Sequence, residues 1–333
     1  MHGSLLSRAA IVAAAVLVLF ALVVLTGSAD ISILDSARGI LDLAGETPAG
    51  RIVLQSRLPR AVTALLAGGA LAVAGLGMQT LLGNPLAGPF VLGVNAAATA
   101  GVAVLGLLLP AFALSPLGAS VAASAGSGVA LLLLLLLAAR VGSILKLTIF
   151  GVLMGYGFAA VVTLVLQVAG PRELSAFVGW TFGSFGRSDY RDILVLSGIT
   201  AVGVVVSFLN AKRLDALYLG PDEASLLGVS LRGLRITAFF AAALLVGGVT
   251  AFCGPLAFIG IAAPHLARWT AQSSRHRVLL VYCLLFGAAL ALLAEVVSSV
   301  PGRDGRLPLN AVLSLMGTPI IASILFGLGG NEG

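Results

Sequence analysis

Charge is scarce in this sequence. Only 10% of its 333 residues are charged and 59% are hydrophobic, and the mean hydropathy is +1.12. A soluble globular domain carries about 25% charged residues, so this chain has too little polar surface to cover a water-soluble globule of its size. The 79 residues between Arg60 and Arg140 contain no charged side chain. Because one membrane-spanning helix needs roughly 20 apolar residues, the stretch 61–139 has room for three.

Motifs that carry catalysis are also missing. The sequence has no His-Glu-x-x-His, no Gly-x-Ser-x-Gly and only three histidines. It lacks Gly-x-x-x-x-Gly-Lys-Ser/Thr, the loop that cradles nucleotide phosphates. We therefore expect a protein that is not an enzyme and binds no metal or other cofactor, so that any ATP must be bound by another chain. Cys253 and Cys283 lack metal-ligand spacing, and we expect both to be buried and unpaired.

The positions of charges and helix breakers predict an all-α membrane protein with about ten transmembrane helices in a single domain, 1–333. The predicted spans are 9–29, three within 61–139 (separated at Gly83-Asn84-Pro85 and at Pro110 to Pro116), 147–171, 193–211, two within 236–267 (separated at Gly254-Pro255), 278–299 and 309–328. Residues 1–29 also resemble a signal peptide, but their apolar run is long for one. We interpret them as a retained helix.

Membrane orientation has only weak support from charge. With ten spans and the N-terminus inside, cytoplasmic segments hold ten of the 19 Lys and Arg residues, so the positive-inside rule barely discriminates. Both lysines and the minority of the acids fall inside, which favours cytoplasmic termini. The isoelectric point near 10 suggests contact with anionic lipid or acidic partners. No basic stripe with interleaved aromatic residues indicates nucleic acid.

The first polar segment between spans is Arg57-Leu58-Pro59-Arg60, whose arginines share one helical face. Their spacing favours anchoring to lipid phosphates, with docking of a partner's carboxylates as the alternative. The glycine-rich span that follows allows close helix packing. It ends near Gln79 and Asn84, which should face protein or a water-filled path because polar groups are costly in lipid.

The polar segment from Asn210 to Arg235 predicts a short helix. Pro221 suits a first helical position, Asp222 and Glu223 follow in the first turn, and Gly228 ends the motif. The segment is either an amphipathic helix lying on the membrane or a rigid knob that fits a cleft on a cytoplasmic partner.

Two further residues are ambiguous from sequence alone. His265 suits a satisfied structural group better than a proton relay. Glu295 is a functional candidate as an intramembrane acid, or it pairs with an arginine.

Taken in order, these segments resemble the bacterial FecCD, or BtuC-like, permease family, the membrane subunits of type II ABC importers for iron-siderophores, haem or cobalamin. The resemblance runs from Arg57 to about Gly317. Its specific parts are Arg57-Leu58-Pro59-Arg60, Met78-Gln79, Asn84-Pro85-Leu86-Ala87, Leu92-Gly93-Val94, Trp180-Thr181-Phe182-Gly183-Ser184, Leu227-Gly228-Val229, and Gly260 to Arg268 with Pro264-His265.

The resemblance implies a pair of ten-helix permeases around a central path, either a homodimer or a heterodimer with a similar permease. It implies a dimer of cytoplasmic P-loop ATPases, which would hold ATP and Mg, against the coupling segment within 210–236. It also implies a periplasmic or extracellular substrate-binding protein on the outer face.

The resemblance also implies roles for individual residues. The expected coupling residues are Asp222, Glu223, Ala224, Leu227, Gly228 and Val229. The inner gate is expected at Ser143, Ile144 and Leu145. The path is expected to include Gln79, Asn84, Gly151, Met154, Gly155 and Phe158. Arg57 and Arg60 should meet acidic residues of the binding protein.

One departure from the family lies before the last span. Family members often have Glu-Leu-Pro-Val-Gly there, and this chain has Arg306-Leu307-Pro308-Leu309-Asn310. Arg306 and the nearby Arg303 are therefore additional candidate docking residues for the binding protein. Because the segment differs from the family pattern, contacts of family members with their binding proteins cannot be transferred to it.

The expected function is ATP-driven import of a bulky metal chelate across a bacterial inner membrane by alternating access. A ferric siderophore is the first choice of cargo, with haem or cobalamin as alternatives. An ion-coupled secondary transporter is the competing reading, although Glu295 is the one carboxylate that could serve it. An integral membrane enzyme is disfavoured because catalytic groups are missing.

Overall fold

The computed structural model describes residues 2–27, 31–42, 45–109, 116–141, 143–300 and 305–325, and this part of the chain contains helices and loops but no strand. The helices are α1 (His2–Leu25), α2 (Ile33–Leu41), α3 (Pro48–Ile52), α4 (Leu58–Leu82), α5 (Val94–Leu108), α6 (Pro116–Arg140), α7 (Ile144–Val168), α8 (Pro171–Thr181), α9 (Tyr190–Leu217), α10 (Pro221–Leu226), α11 (Leu231–Cys253), α12 (Ile259–Ala271), α13 (His276–Ser299) and α14 (Leu309–Leu325). A π-helical turn, Val53–Arg57, joins α3 to α4.

Each of the ten predicted spans corresponds to a helix, and the all-α membrane fold is confirmed. Within the described ranges, seven helices are long and apolar enough to cross a membrane, namely α1, α4, α6, α7, α9, α11 and α13. Helices α5 and α14 are shorter apolar helices of 15 and 17 residues, and α12 has 13 residues. Three of the spans are therefore shorter than charge-free length alone suggests.

The predicted helix breaks at Gly83 and Gly254 are present. Helix α4 ends at Leu82, and Gly83 follows with φ 59°, a conformation that glycine adopts without steric cost. Gly254 ends α11 with φ 78°. The predicted break at 110–116 falls mainly on residues outside the described ranges, which resume at Pro116.

Helices α2 and α8 were not expected from the sequence. Both are short and carry charged residues, Asp35 and Arg38 in α2 and Glu173 in α8. A search for long uncharged stretches passes over such helices. They lie at one end of the bundle, here named the α2 end, while α10 lies at the other, the α10 end.

Helix α4 is the centre of the bundle, in contact with α1, α9, α11, α12 and α13. Its glycines make this possible. A Cβ atom on Gly68 would overlap the carbonyl of Gly287 in α13, and one on Gly75 would overlap the carbonyl of Gly260 in α12. Lipid offers no hydrophobic drive for helix association, so close backbone approach and van der Waals contact hold these helices together.

A second glycine crossing joins α5 to α6. Gly101 faces the carbonyl of Ala122, and Gly126 faces that of Ala97. Helix α6 also packs against α11, which connects this pair to the centre. The bundle is therefore held by small-residue crossings on both sides of α11.

The two cysteines are both free and buried, as expected. Cys253 ends α11 and Cys283 lies in α13. A buried thiol is less reactive than an exposed one, because apolar surroundings disfavour the reactive thiolate.

Replacement of Gly75 by alanine should destabilise the bundle by about 1–3 kcal/mol, because the added methyl group has no room against α12. Gly77→Ala is the matched control on the same helix, since nothing lies within 4 Å of a Cβ there. The measurement is the midpoint of thermal unfolding of the detergent-purified protein. Equal midpoints for the two variants would contradict the close crossing of α4 and α12.

Candidate functional site

The segment around α10 forms a short, sharply bounded projection. Gly220 precedes the helix with φ 116°, and Gly228 follows it with φ 81°. The amide of Val229 donates to the carbonyl of Ala224 at 3.0 Å, which closes the C-terminus of the helix. The helix and turn predicted here are therefore present, and their role in coupling stays a prediction.

One face of α10 is anchored and the other is exposed. Ala224 is fully buried, whereas Leu226 is 88% exposed. Asp222 and Glu223 occupy the first turn, where the helix dipole favours acids. The projection thus offers a partner one exposed leucine at its tip and two carboxylates in the first turn of the helix.

Two hydrogen bonds lie at the neighbouring ends of α6, α7 and α11. Arg232, in the first turn of α11, donates to the carbonyl of Ala139 near the end of α6. Ser143 begins α7, and its hydroxyl accepts the amide of Lys146 at 3.4 Å. The predicted gate residues Ser143, Ile144 and Leu145 therefore lie at the start of α7, with Leu145 exposed.

An ion-pair cluster lies at the α2 end. Nη1 of Arg306 donates to Oε1 of Glu295 at 2.5 Å, and Nη1 of Arg60 lies 3.4 Å from the same oxygen. Glu295 is buried near the end of α13. Of the two hypotheses for Glu295, a functional intramembrane acid or the partner of an arginine, the structure favours the ion pair with arginine.

Arg57 lies beside this cluster and is only 4% exposed. Its Nη1 donates to the carbonyl of Leu25 at 2.7 Å and to the hydroxyl of Ser36 at 2.8 Å. These bonds join the end of α1 and the unexpected helix α2 to the start of α4. Arg57 therefore has a clear structural role within the chain.

The predicted docking arginines differ in accessibility. The side chain of Arg306 is 29% exposed and that of Arg60 is 16% exposed, so both keep some surface for a partner. Arg303 lies outside the described residues. Docking of a binding protein at these positions stays a prediction.

Two of the predicted path residues, Gln79 and Asn84, have different surroundings. Gln79 is buried, and its Oε1 accepts a bond from Arg268 of α12 at 2.6 Å. Asn84 is exposed in the loop after α4, and its side chain accepts the amide of Leu86 at 2.9 Å. Nδ1 of His265 lies 2.8 Å from the carbonyl oxygen of Ile261, whereas its buried Nε2 has no hydrogen-bond partner among the described residues, so the expected satisfied group is only half satisfied.

The path residues predicted on α7 face the turn before α5. Gly93 has φ 69°, and a Cβ there would lie 2.7 Å from the carbonyl oxygen of Gly151 and 3.0 Å from the amide nitrogen of Gly155. The same Cβ would lie 3.3 Å from Cε of Met154, while Phe158 is half-buried. The opposite side of α7 is the exposed one, and hydropathy alone does not distinguish the two sides.

A cavity of about 370 Å³ lies between α5, α6, α7 and α8. Its walls are mostly apolar and include Phe177, Trp180 and Arg187. Arg187 donates to the carbonyl of Trp180 at 3.1 Å, and burial lowers its pKa. None of the predicted site residues lines this cavity.

Three polar residues at the α10 end escaped the sequence analysis. They are Thr80 of α4, Asp215 of α9 and His276 of α13, and His276 contacts both of the others. They are far apart in the sequence and form no motif, so no local signal could have identified them.

These features are those of a polytopic α-helical membrane protein. No group of three or more His, Cys, Asp or Glu residues that could hold a metal occurs in the described ranges. Its charged residues are concentrated at the two ends of a largely apolar bundle, as expected of a protein that spans a membrane.

Comparison with known proteins gives the family. Residues 15–326 match the FecCD transport family, and the chain belongs to it. The chain is 34% identical to the Fe(3+) dicitrate transport system permease protein FecC of Escherichia coli, with 86% of each chain covered. It is 35% identical to the vitamin B12 import system permease protein BtuC of Vibrio cholerae, with 83% and 82% covered.

Other relatives agree with this assignment. The hemin transport system permease protein HmuU of Yersinia pestis is 31% identical, with 91% of this chain and 92% of HmuU covered. An ABC transporter assigned to the metal-chelate type, solved in an inward-facing conformation, superimposes with a TM-score of 0.84 at 25% identity, covering 96% of this chain and 98% of that one. The chain is thus a multi-pass ABC transporter permease, a transport subunit of the type II importer class.

Glu295→Gln should lower the free energy of unfolding by about 3 kcal/mol, because it leaves Arg60 and Arg306 without their shared carboxylate. This value is at the lower end for a broken buried pair, since both guanidinium groups keep some exposed surface. The measurement is the thermal midpoint in detergent, with the exposed Glu46→Gln as control. Equal loss in both variants would argue against the cluster.

Proposed function

We propose that this chain forms the translocation path of an ATP-driven importer for a bulky metal chelate. The observation that carries the proposal is α10, a rigid projection at one end of a FecCD-family bundle that has no nucleotide-binding motif of its own. The relatives are named for iron dicitrate, vitamin B12 and hemin. A ferric chelate such as a siderophore is our first choice of cargo, with haem and cobalamin next.

The partner at the α10 end is a dimer of P-loop ATPases that binds ATP and Mg. The exposed Leu226 and Leu227 suit an apolar cleft, and Asp222 and Glu223 suit basic residues at its rim. This assignment makes the α10 end cytoplasmic. Since α1 begins at that end and α14 finishes there, both termini would be cytoplasmic in a bacterial inner membrane.

The partner at the α2 end is a substrate-binding protein. Arg306 and Arg60 offer accessible positive charge there, and charge-assisted bonds to carboxylates are strong and directional. Arg303 is an additional candidate from the sequence. Arg57 would act chiefly by holding α1 and α2 against α4, so that the docking surface keeps its shape.

The path is formed with a second permease copy, identical or similar, on the exposed side of α7. Tyr156 stands at the middle of Ile144–Val168 and is 71% exposed, and its hydroxyl has no hydrogen-bond partner among the described residues. Tyrosine favours membrane interfaces over the bilayer centre, and an unsatisfied polar group in lipid is costly. Water, cargo or a second subunit would satisfy this hydroxyl.

The other path residues fit this arrangement in two ways. Asn84 and Phe158 keep exposed surface and can line the path directly. Gly151, Met154 and Gly155 would shape it indirectly, by allowing α7 to lie against Gly93. Gln79 would support the path from behind, through Arg268.

The competing reading, an ion-coupled transporter, needs a carboxylate that can release its proton or ion within the membrane. Glu295 is engaged by two arginines at the α2 end. It is therefore poorly suited to carry a coupling ion.

Uptake into proteoliposomes tests the proposal. Vesicles would contain this permease with its ATPase and binding protein, and ferric dicitrate, haemin and cyanocobalamin would be the probes. We expect uptake of at least one probe with ATP and none with a non-hydrolysable analogue. An ATPase that lacks its P-loop lysine is the matched control. Uptake driven by a proton gradient without nucleotide would contradict the proposal.

A further inference from the structure

Three helices are joined by one buried imidazole at the α10 end. His276, the first residue of α13, is fully buried. Its Nδ1 lies 2.6 Å from Oδ1 of Asp215 in the last turn of α9. Its Nε2 lies 2.8 Å from the hydroxyl of Thr80 near the end of α4. The imidazole is thus held at both ring nitrogens by side chains from two other helices.

Asp215 also caps the helix that His276 begins. The backbone amide of His276 donates to the same Oδ1 at 2.7 Å, while the residue at the usual capping position, Arg275, makes no side-chain cap. A carboxylate at a helix N-terminus satisfies a free amide and is favoured by the dipole. Helix α9 therefore supplies the cap that α13 lacks.

Tyr218, three residues after Asp215, also contacts His276. The ring of Tyr218 lies with its centroid 5.3 Å from that of His276. Tyr218 is followed directly by Leu219 and Gly220, which lead into α10. The contact to the imidazole is consequently made within three residues of the start of the proposed coupling helix.

Both ring nitrogens of His276 keep their hydrogen bonds whether the imidazole is neutral or charged. Since Asp215 is an acceptor, Nδ1 carries a hydrogen. The hydroxyl of Thr80 also lies 3.0 Å from the carbonyl of Leu76 and has one hydrogen to give. It donates to Nε2 of a neutral ring, or it donates to Leu76 and accepts from Nε2 of a charged ring. Both arrangements keep α4 bonded to α13.

We infer that His276 is a positioning residue that carries displacement of α10 to α4. A movement of α10 reaches the last turn of α9 through Leu219 and Gly220, and Asp215 and Tyr218 pass it to His276. The Thr80 contact then acts on the end of α4, beside the loop that contains Asn84. This inference rests on the proposed function, because it assumes that α10 is moved by an ATPase.

Thr80→Val removes only the last contact in this series, the one between Thr80 and His276. Valine keeps the shape of threonine and removes the hydroxyl, while the cap by Asp215 remains. Thr80→Ser restores the hydroxyl and should restore the behaviour of the wild type. Thr318→Val is the matched control, because Thr318 lies near the middle of α14 and its hydroxyl donates to the carbonyl of Ser314, four residues back in its own helix.

The measurement uses a single reporter cysteine in the complete complex with its ATPase, in lipid nanodiscs. Leu86→Cys places the reporter in the loop after α4, where the native residue is partly exposed, and both native cysteines are buried. The labelling rate with a water-soluble maleimide is compared between the nucleotide-free complex and the complex trapped with MgADP and vanadate. Hydrolysis of ATP is recorded in parallel.

In the wild type, in Thr80→Ser and in Thr318→Val, trapping should change the labelling rate by at least about fivefold, the lower end of typical coupling between sites. In Thr80→Val the change should disappear while hydrolysis continues. A full change in Thr80→Val, or its loss in Thr80→Ser, would overturn the role of His276 and leave the proposed function intact. No change in the wild type would also overturn the inference, because the end of α4 would then not move. Absence of ATP-dependent uptake by the same complex is the separate result that would contradict the proposed function.

Discussion

The close approach of α4 to α12 and α13 is the constraint on which the rest of the structure depends. Backbone meets backbone where Gly68 faces Gly287 and where Gly75 faces Gly260. In water such contacts would be one contribution among many, but in lipid they replace the hydrophobic effect as the cause of helix association. Because α4 is held at both crossings, its two ends have fixed neighbours. Arg57 directly precedes α4 and Arg60 lies in its first turn, while Gln79 and Thr80 lie near its end, so one helix organises the polar contacts at both ends of the bundle.

The positions of the charged residues follow from the same packing of helices. Each polar group that enters the bundle needs a partner, since lipid provides none. At the α2 end, Glu295 is shared by Arg60 and Arg306; at the α10 end, Asp215 binds His276 and Arg268 binds Gln79. The middle of the bundle is left nearly free of charge, which suits the passage of a large solute that must be released as well as admitted. Polar contacts at the ends are then available for partners and for coupling.

The ten spans could be predicted from sequence because charge-free length and helix breakers are local properties. The projection at α10 was predictable for the same reason, since Pro221, two acids and Gly228 stand in one short segment. Tertiary partners were not predictable. Nothing near Glu295 in the sequence indicates Arg60, and nothing near Thr80 indicates His276. The orientation of α7 was also open, because its glycines and its bulky residues are both apolar and only the packed structure shows that Gly151 and Gly155 turn towards Gly93.

The central claim is that this bundle is driven through α10 by a separate ATPase. An experimental structure of the permease purified together with its ATPase, in lipid nanodiscs, tests that claim most directly. The account predicts that α10 is seated in a cleft of the ATPase, with Leu226 and Leu227 buried there and Asp222 and Glu223 at the rim. An ATPase bound at the α2 end, or one that leaves α10 exposed to solvent, would contradict it.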